Sequence, residues 1–280
     1  MNTANAVLSA VSDAVISAVS ASRENAIQQH GDYPVNGILF CGRCNKPKEA
    51  FKTLLGMTVK VGVMCDCQLS EMEKREQKKR TDRISINRSI AFGSDRLAEE
   101  LSKCTFANSN TPTDEGAMGK AKEYADHYDE YRQNGKGLLF WGNVGCGKTY
   151  AAMCIVNQLL DNGHTALFTS ITRIANDMFA LRSGRSEYLD DLLHYDIVVL
   201  DDLGAERDSE WMMEQVYAVI DTFSRARKPI VITTNLKKNE IMDESNQTKA
   251  RIYSRVMGIC DPVHFIGKDN RKTGWYRDVE

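Results

Sequence analysis

Eight consecutive residues, Gly142-Asn143-Val144-Gly145-Cys146-Gly147-Lys148-Thr149, have the types and the spacing that cradle a polyphosphate. Glycines let backbone N–H groups turn inward around phosphate oxygens, a lysine reaches the terminal phosphates, and a following hydroxyl ligates Mg²⁺. The motif therefore predicts that Gly142 to Thr149, with the adjoining Tyr150, contact a nucleoside triphosphate, and that Thr149 contacts Mg²⁺. Such a loop works only between a strand that delivers it and a helix whose N-terminus adds partial positive charge. Both are legible: Leu138-Leu139-Phe140-Trp141 is a short apolar run, and Thr149 to Leu160 reads as a helix stopping at Gly163. A chance glycine-rich turn would not carry that pair of flanks.

Other segments carry chemistry that such a loop requires. Ile197-Val198-Val199-Leu200-Asp201-Asp202 reads as a buried strand ending in two carboxylates, the Walker B arrangement, expected beside the phosphate-loop strand. Asp201 would hold Mg²⁺, mainly through water, and Asp202 would orient the attacking water. Thr165 to Phe168 reads as another strand, followed by helical segments. Pro229 to Thr234 is a further buried run ending at Asn235, either a turn asparagine or the group called sensor 1 that bonds the attacking water or the γ-phosphate. Gln247 to Val256 reads as a helix with Arg251 and Arg255 four apart on one face. Arg255 is the candidate finger for a neighbouring subunit's γ-phosphate; the alternative is that both arginines face solvent or pair with acids. Pro262 to Ile266 reads as a last strand, Arg271 beyond it is a candidate second sensor, and too little chain follows for a complete helical lid.

A second chemistry lies nearer the amino terminus. Cys41-Gly42-Arg43-Cys44 and Cys65-Asp66-Cys67 are two close cysteine pairs, and four thiolates so arranged suit one tetrahedral Zn²⁺. The first pair has the form of a zinc knuckle, while the second is tighter than the commonest spacing. Thr58 to Met64 alternates as a strand between them, and His30 is a substitute ligand. The other reading is four free thiols. With little apolar material nearby, bound metal would supply much of this module's folding free energy.

The 280 residues, 42% apolar and 26% charged, suffice for a full α/β core with a smaller module attached. The expected division is residues 1–36 as an N-terminal segment, 37–70 as the zinc-binding module, 71–100 as a charged helix and linker, and 101–280 as the ATPase domain. Val7, Leu8, Val11, Val15, Ile16 and Val19 are near helical spacing, fitting an amphipathic helix or a frayed terminus. A net charge of -2 gives no global attraction to nucleic acid. The cluster Lys74, Arg75, Lys78, Lys79, Arg80 and Arg83 is either a nucleic-acid contact or an exposed helix face. No apolar run approaches the roughly 20 residues that span a bilayer. A cytoplasmic protein without a membrane partner is expected, its cysteines reduced or metal-bound.

Taken together, Gly142 to Thr149, Val199-Leu200-Asp201-Asp202-Leu203-Gly204, Thr233-Thr234-Asn235-Leu236 and Arg251-Ile252-Tyr253-Ser254-Arg255 resemble the DnaC/DnaI-type replicative helicase loaders and their IstB-like relatives. Cys104-Thr105-Phe106-Ala107-Asn108 is similar to the segment leading into the core in that family. The resemblance covers roughly residues 100–275. It implies an α/β fold, an AAA+ P-loop NTPase core with a parallel sheet and minimal lid, and a small N-terminal zinc-binding module like that of DnaI-type loaders. It further implies that Lys148 and Thr149 take nucleotide and Mg²⁺, Asp201 and Asp202 the Walker B roles, Asn235 sensor 1, Arg255 the finger and Arg271 sensor 2. Asp202 departs from the usual AAA+ pattern, where glutamate is commoner. The implied activity is ATP hydrolysis at interfaces of a self-oligomer that binds single-stranded DNA and delivers a DnaB-type hexameric helicase. Arg173, Arg182 and Arg185 are candidate DNA contacts. Two alternatives stay open: an IstB-like transposition helper ATPase, and a zinc-dependent adaptor that binds nucleotide without turnover.

Overall fold

The computed structural model describes residues 26–54, 57–93, 96–109, 116–181, 183–206, 209–243, 245–267 and 269. The apolar N-terminal positions, Arg182 and Arg271 therefore lie outside the described residues. The chain divides into two compact units, one running to Thr81 and the other from Asp82.

The first unit is built from two antiparallel hairpins, β1 (Tyr33–Val35) with β2 (Ile38–Phe40) and β3 (Glu49–Leu54) with β4 (Met57–Gly62). The amide of Val63 donates to the Lys48 carbonyl, and the amide of Lys48 to that of Leu39, which ties the hairpins together. Helix α1 (Asp66–Phe92) begins directly after β4. Its charged residues leave it no apolar stripe, and among its described residues only Ala91 is buried. The buried apolar set of the hairpins is small, Cys41, Val61 and Cys65, beside a buried ion pair of Lys48 with Asp32 at 2.7 Å.

In the second unit, helices α2 (Arg96–Ser102), α3 (Gly116–Asp126) and α4 (Tyr128–Asn134) precede β5 (Gly137–Gly142). Then follow α5 (Lys148–Asp161), β6 (Ala166–Ser170), α6 (Ile171–Ala180), α7 (Arg185–Leu192), β7 (Ile197–Leu203) and α8 (Glu210–Ala226). Last come β8 (Ile230–Thr234), α9 (Lys238–Ile241), α10 (Gln247–Ile259) and β9 (Cys260–Phe265). The five strands form one parallel sheet in the order β6-β7-β8-β5-β9. Parallel neighbours need long crossovers, and the helices fill them on both faces. Leu139, Val198, Leu200, Ile230 and Ile232 pack to one side with Ile174, Val216, Phe223 and Val256. Leu138, Phe140, Val199 and Val231 pack to the other with Tyr124, Ile155 and Leu159. Burial on both faces explains why these strands read as unbroken apolar runs. Helix starts follow local chemistry: Ser170, Ser209 and Asn246 each accept a hydrogen bond from a first-turn amide of α6, α8 and α10.

One expectation is corrected. The strand ending in Asp201 and Asp202 does not lie beside the phosphate-loop strand, because β8 is inserted between β7 and β5. All three are apolar on both faces, so nothing in their local pattern ranks them as neighbours. The insertion puts Asn235, at the end of β8, between the phosphate loop and the two carboxylates. Among the described residues no helix is long and apolar enough to cross a membrane.

Candidate nucleotide site and cysteine cluster

The phosphate loop leaves β5 at Gly142 and enters α5 at Lys148. Two of its glycines, Gly142 and Gly145, are required by space as well as by dihedral angle. Gly142 has φ 142° and a Cβ there would stand 2.3 Å from the Phe265 carbonyl oxygen; Gly145 has φ 77° and a Cβ would stand 1.9 Å from Oδ1 of Asp269. Gly147, at φ 99°, caps α5 in a left-handed conformation that a side chain would strain. The first amides of α5 thus open onto the loop, where a helix N-terminus attracts anions. The Cys146 thiol donates to the Asn143 carbonyl at 2.8 Å and braces the turn. Tyr150 sends its hydroxyl to the Thr105 carbonyl at 2.9 Å, tying the segment before α3 to the helix that follows the loop.

Lys148 is buried, and its ammonium donates to the carbonyls of Gly142 and Asn143 at 2.9 and 2.7 Å and to Asn235 Oδ1 at 2.8 Å. Asn235 in turn donates from Nδ2 to Asp202 Oδ1 at 3.0 Å. Beside this chain, the Thr149 hydroxyl donates to Asp201 Oδ1 at 3.0 Å. Five of the residues singled out from sequence, Lys148, Thr149, Asp201, Asp202 and Asn235, are therefore brought together from the start of α5, the end of β7 and the residue after β8. Burial pushes the Asp201 carboxyl up, opposed by the hydroxyl of Thr233. An oxygen-rich pair of this kind, Thr149 with Asp201, fits a hard divalent cation that keeps several waters.

Thr233 is a participant that sequence reasoning missed. Between Leu200 and Leu203 the register of β7 against β8 shifts, so Asp201 and Asp202 together oppose the single residue Thr233. The extra residue forms a bulge that re-aims the strand end, and Asp202 takes φ 55°, a left-handed value that aspartate and asparagine adopt more readily than glutamate. The Thr233 hydroxyl spans the bulge: it donates to Asp201 Oδ1 at 2.7 Å and accepts from the Asp202 amide at 2.9 Å. Thr234 makes the next tie, donating to the Leu203 carbonyl at 2.6 Å. The signal in sequence was the Thr-Thr before Asn235, polar residues closing an apolar strand.

Arg255 is not part of this group. It pairs with Asp221, Nε to Oδ1 at 2.7 Å, and lies over the Tyr217 ring, as does Arg251. Of the arginines proposed for DNA, Arg173 and Arg185 are exposed. Near them is an aromatic feature the sequence did not flag: Phe179 is 72% exposed and meets Trp211 edge-on at 5.7 Å. The two sit on different helices, α6 and α8, more than thirty residues apart, so no local pattern pairs them.

In the first unit, the Sγ atoms of Cys41, Cys44, Cys65 and Cys67 all lie within 4.8 Å of one another. Cys41 and Cys44 bracket a turn in which the amide of Asn45 donates to the Cys41 carbonyl and that of Cys41 to Lys46, with Asn45 at φ 57°. Cys65 and Cys67 sit at the start of α1. Gly42 is pressed against the Gly31 carbonyl, 2.0 Å from where a Cβ would stand. The four thiols are free and hydrogen-bonded within the cluster: a backbone hydrogen bond from Cys67 first of all lowers the pKa of Cys44 to about 6, and the side-chain hydrogen bond with Cys44 raises that of Cys67 to about 11. Tetrahedral Zn–S bonds of about 2.3 Å put sulfurs roughly 3.8 Å apart, so the donor set fits zinc in number, type and spacing. His30 is exposed and outside the cluster.

Comparison with known proteins agrees with this geometry. The family described as IstB-like ATP binding protein matches residues 120–273. The replicative helicase loader DnaC of Escherichia coli (strain K12) is 28% identical over 204 residues, covering 69% of this chain and 78% of its own. The replicative helicase loader DnaI of Bacillus subtilis (strain 168) is 20% identical over 251 residues, covering 82% and 78%. A crystal structure of DnaI has the same fold, with a TM-score of 0.53 and 21% identity over 66% of this chain and 99% of that one. With its phosphate loop, five-stranded parallel sheet and matched core, the chain belongs to the IstB-like AAA+ family of the DnaC/DnaI type.

Proposed function

We propose that the protein is an ATP-dependent loader of a hexameric, DnaB-type replicative helicase, acting as a self-oligomer on single-stranded DNA. The observation that carries the ATPase part is the hydrogen-bonded chain from Lys148 through Asn235 to Asp202, next to Thr149 on Asp201. Lys148 would hold the β- and γ-phosphates against the loop, Thr149 and Asp201 would hold Mg²⁺, and Asp202 and Asn235 would position water in line with the γ-phosphorus. When bound there, the Mg²⁺ held by Thr149 and Asp201 would neutralise charge on the phosphates. Since Asn235 touches both Lys148 and Asp202, arrival of a γ-phosphate at Lys148 would be felt at the water-positioning carboxylate. Arg255 and Arg271 are proposed to serve the phosphates, Arg255 from a neighbouring subunit. Cys41, Cys44, Cys65 and Cys67 are proposed to hold one structural zinc, making residues 37–70 the module that meets the helicase. The exposed Phe179 beside Trp211, with Arg173 and Arg185, suits stacking of an unpaired base with phosphate contacts. Likeness to DnaC and DnaI supports the loader reading.

The test is to mix the protein with the replicative helicase of its own source, with and without ATP and single-stranded DNA, and to size the products. A complex of helicase and loader whose stability depends on ATP is expected, with Lys148→Ala and Asp202→Asn unable to hydrolyse ATP. If no complex forms and a transposase co-purifies, the transposition ATPase is the function. If the complex forms but the wild-type protein does not hydrolyse ATP, it is an adaptor.

A further inference from the structure

Helices α8 and α10 face each other with one pair of residues each, spaced four apart: Tyr217 and Asp221 on α8, Arg251 and Arg255 on α10. Arg255 Nε donates to Asp221 Oδ1 at 2.7 Å, and its guanidinium carbon stands 4.6 Å from the centroid of the Tyr217 ring. Arg251 uses the same ring at 4.7 Å and donates from Nη2 to the Tyr217 hydroxyl at 3.1 Å. The other carboxylate oxygen of Asp221 is taken by Arg225, again at 2.7 Å. Two guanidinium groups therefore share one carboxylate while a third lies on the adjoining Tyr217 ring, and among the described residues no second carboxylate pairs with any of the three. That excess of positive charge suits an incoming anion. Arg255 is bound through Nε, which leaves unpartnered among the described residues the Nη groups that a guanidinium presents to a phosphate.

Resting on the reading of Arg255 as the finger for a neighbouring subunit, we propose that Tyr217 and Asp221 form the seat that holds it. Asp221 fixes the Nε edge while the Tyr217 ring supports the guanidinium plane, so the long side chain is ordered before it meets the neighbour's γ-phosphate. Its rotamer freedom is then lost on folding instead of in each catalytic cycle. Tyr217 and Asp221 are positioning residues and do not touch the nucleotide themselves. Arg225, on the outer oxygen, keeps Asp221 from drawing Arg255 fully into a bidentate pair.

Subunit mixing tests this with the full chain. Lys148→Ala has a dead phosphate loop and an intact finger; Arg255→Ala has the reverse. Mixed, they should regain ATPase activity at interfaces where the intact loop meets the intact finger, and failure to do so overturns both the finger and its seat. Asp221→Asn alone should lose roughly tenfold or more in kcat with KM for ATP unchanged, against the ~10³-fold loss when a finger is removed. Mixed with Lys148→Ala it should be rescued; mixed with Arg255→Ala it should not, since the only fingers present are unseated. Rescue by Arg255→Ala would show that Asp221 acts within its own subunit and would overturn the proposal, as would unchanged or raised activity of Asp221→Asn alone. Tyr217→Phe, which keeps the ring, should behave as wild type, while Tyr217→Leu should follow Asp221→Asn. Equal behaviour of the two tyrosine variants also overturns it.

Discussion

Replacing Thr233 by valine tests how much of the site depends on one hydroxyl. Valine matches threonine in shape, so the buried position keeps its packing and no cavity opens. What is lost are the donation to Asp201 and the acceptor for the Asp202 amide. Leaving that amide unpaired costs about 1–3 kcal/mol, and a hydrogen bond to a charged group contributes about 1.5–3 kcal/mol. Because both bonds come from one oxygen and Thr149 still serves Asp201, the sum is not additive. A net loss of about 2–3 kcal/mol is expected, which lowers Tm by about 4–12 °C for a unit of this size. The bulge would relax and Asp202 would shift from its aim, and an error of this kind costs about 10²-fold in turnover. Thermal or urea unfolding, a steady-state ATPase assay and ATP affinity measured in the same buffer would follow these effects. Thr233→Ser should restore turnover to within a few-fold. A Thr233→Val protein with wild-type stability and wild-type kcat would refute the account of the bulge.

Asp202→Asn should keep the fold and ATP binding, since asparagine tolerates the left-handed backbone, while hydrolysis falls at least about 100-fold; loss of ATP binding in this variant would contradict the assigned role. Metal analysis of protein purified without chelator should give one zinc per chain, and Cys65→Ser should abolish it and expose the hairpin unit to protease while the nucleotide-binding unit stays resistant. Asp32 is lowered to about 2, chiefly by the hydrogen bond from Lys48 and then by the amides of Gln29 and Gly42. A lowered carboxyl stabilises the fold above its unfolded value of 3.8 and loses that contribution as pH falls through about 2. Asp32→Asn should therefore weaken the hairpin unit at neutral pH, with the difference from wild type shrinking between pH 4 and pH 2; a difference independent of pH would point to packing instead.

The identity of the phosphate loop, the two carboxylates and the four cysteines was legible in the chain because each is a local pattern. Gly142 to Thr149 must lie between a strand and a helix, and apolar runs buried on both faces announce the parallel sheet. The helix expected to stop at Gly163 ends two residues before it, at Asp161 of α5. What distance along the chain hides is which strand lies beside which. The strand expected next to β5 was β7, yet β8 occupies that place, and only there can Asn235 touch Lys148 and Asp202 at once. Likewise no pattern told that Thr233 spans a bulge, or that Arg255 is seated against Asp221 from another helix. Sequence by itself determined the chemical groups and the elements that bear them, since glycine geometry, capping and apolar periodicity act over a few residues. Tertiary structure alone decided their partners, since hydrogen bonds between strand ends and between helices depend on a sheet order that no local preference encodes.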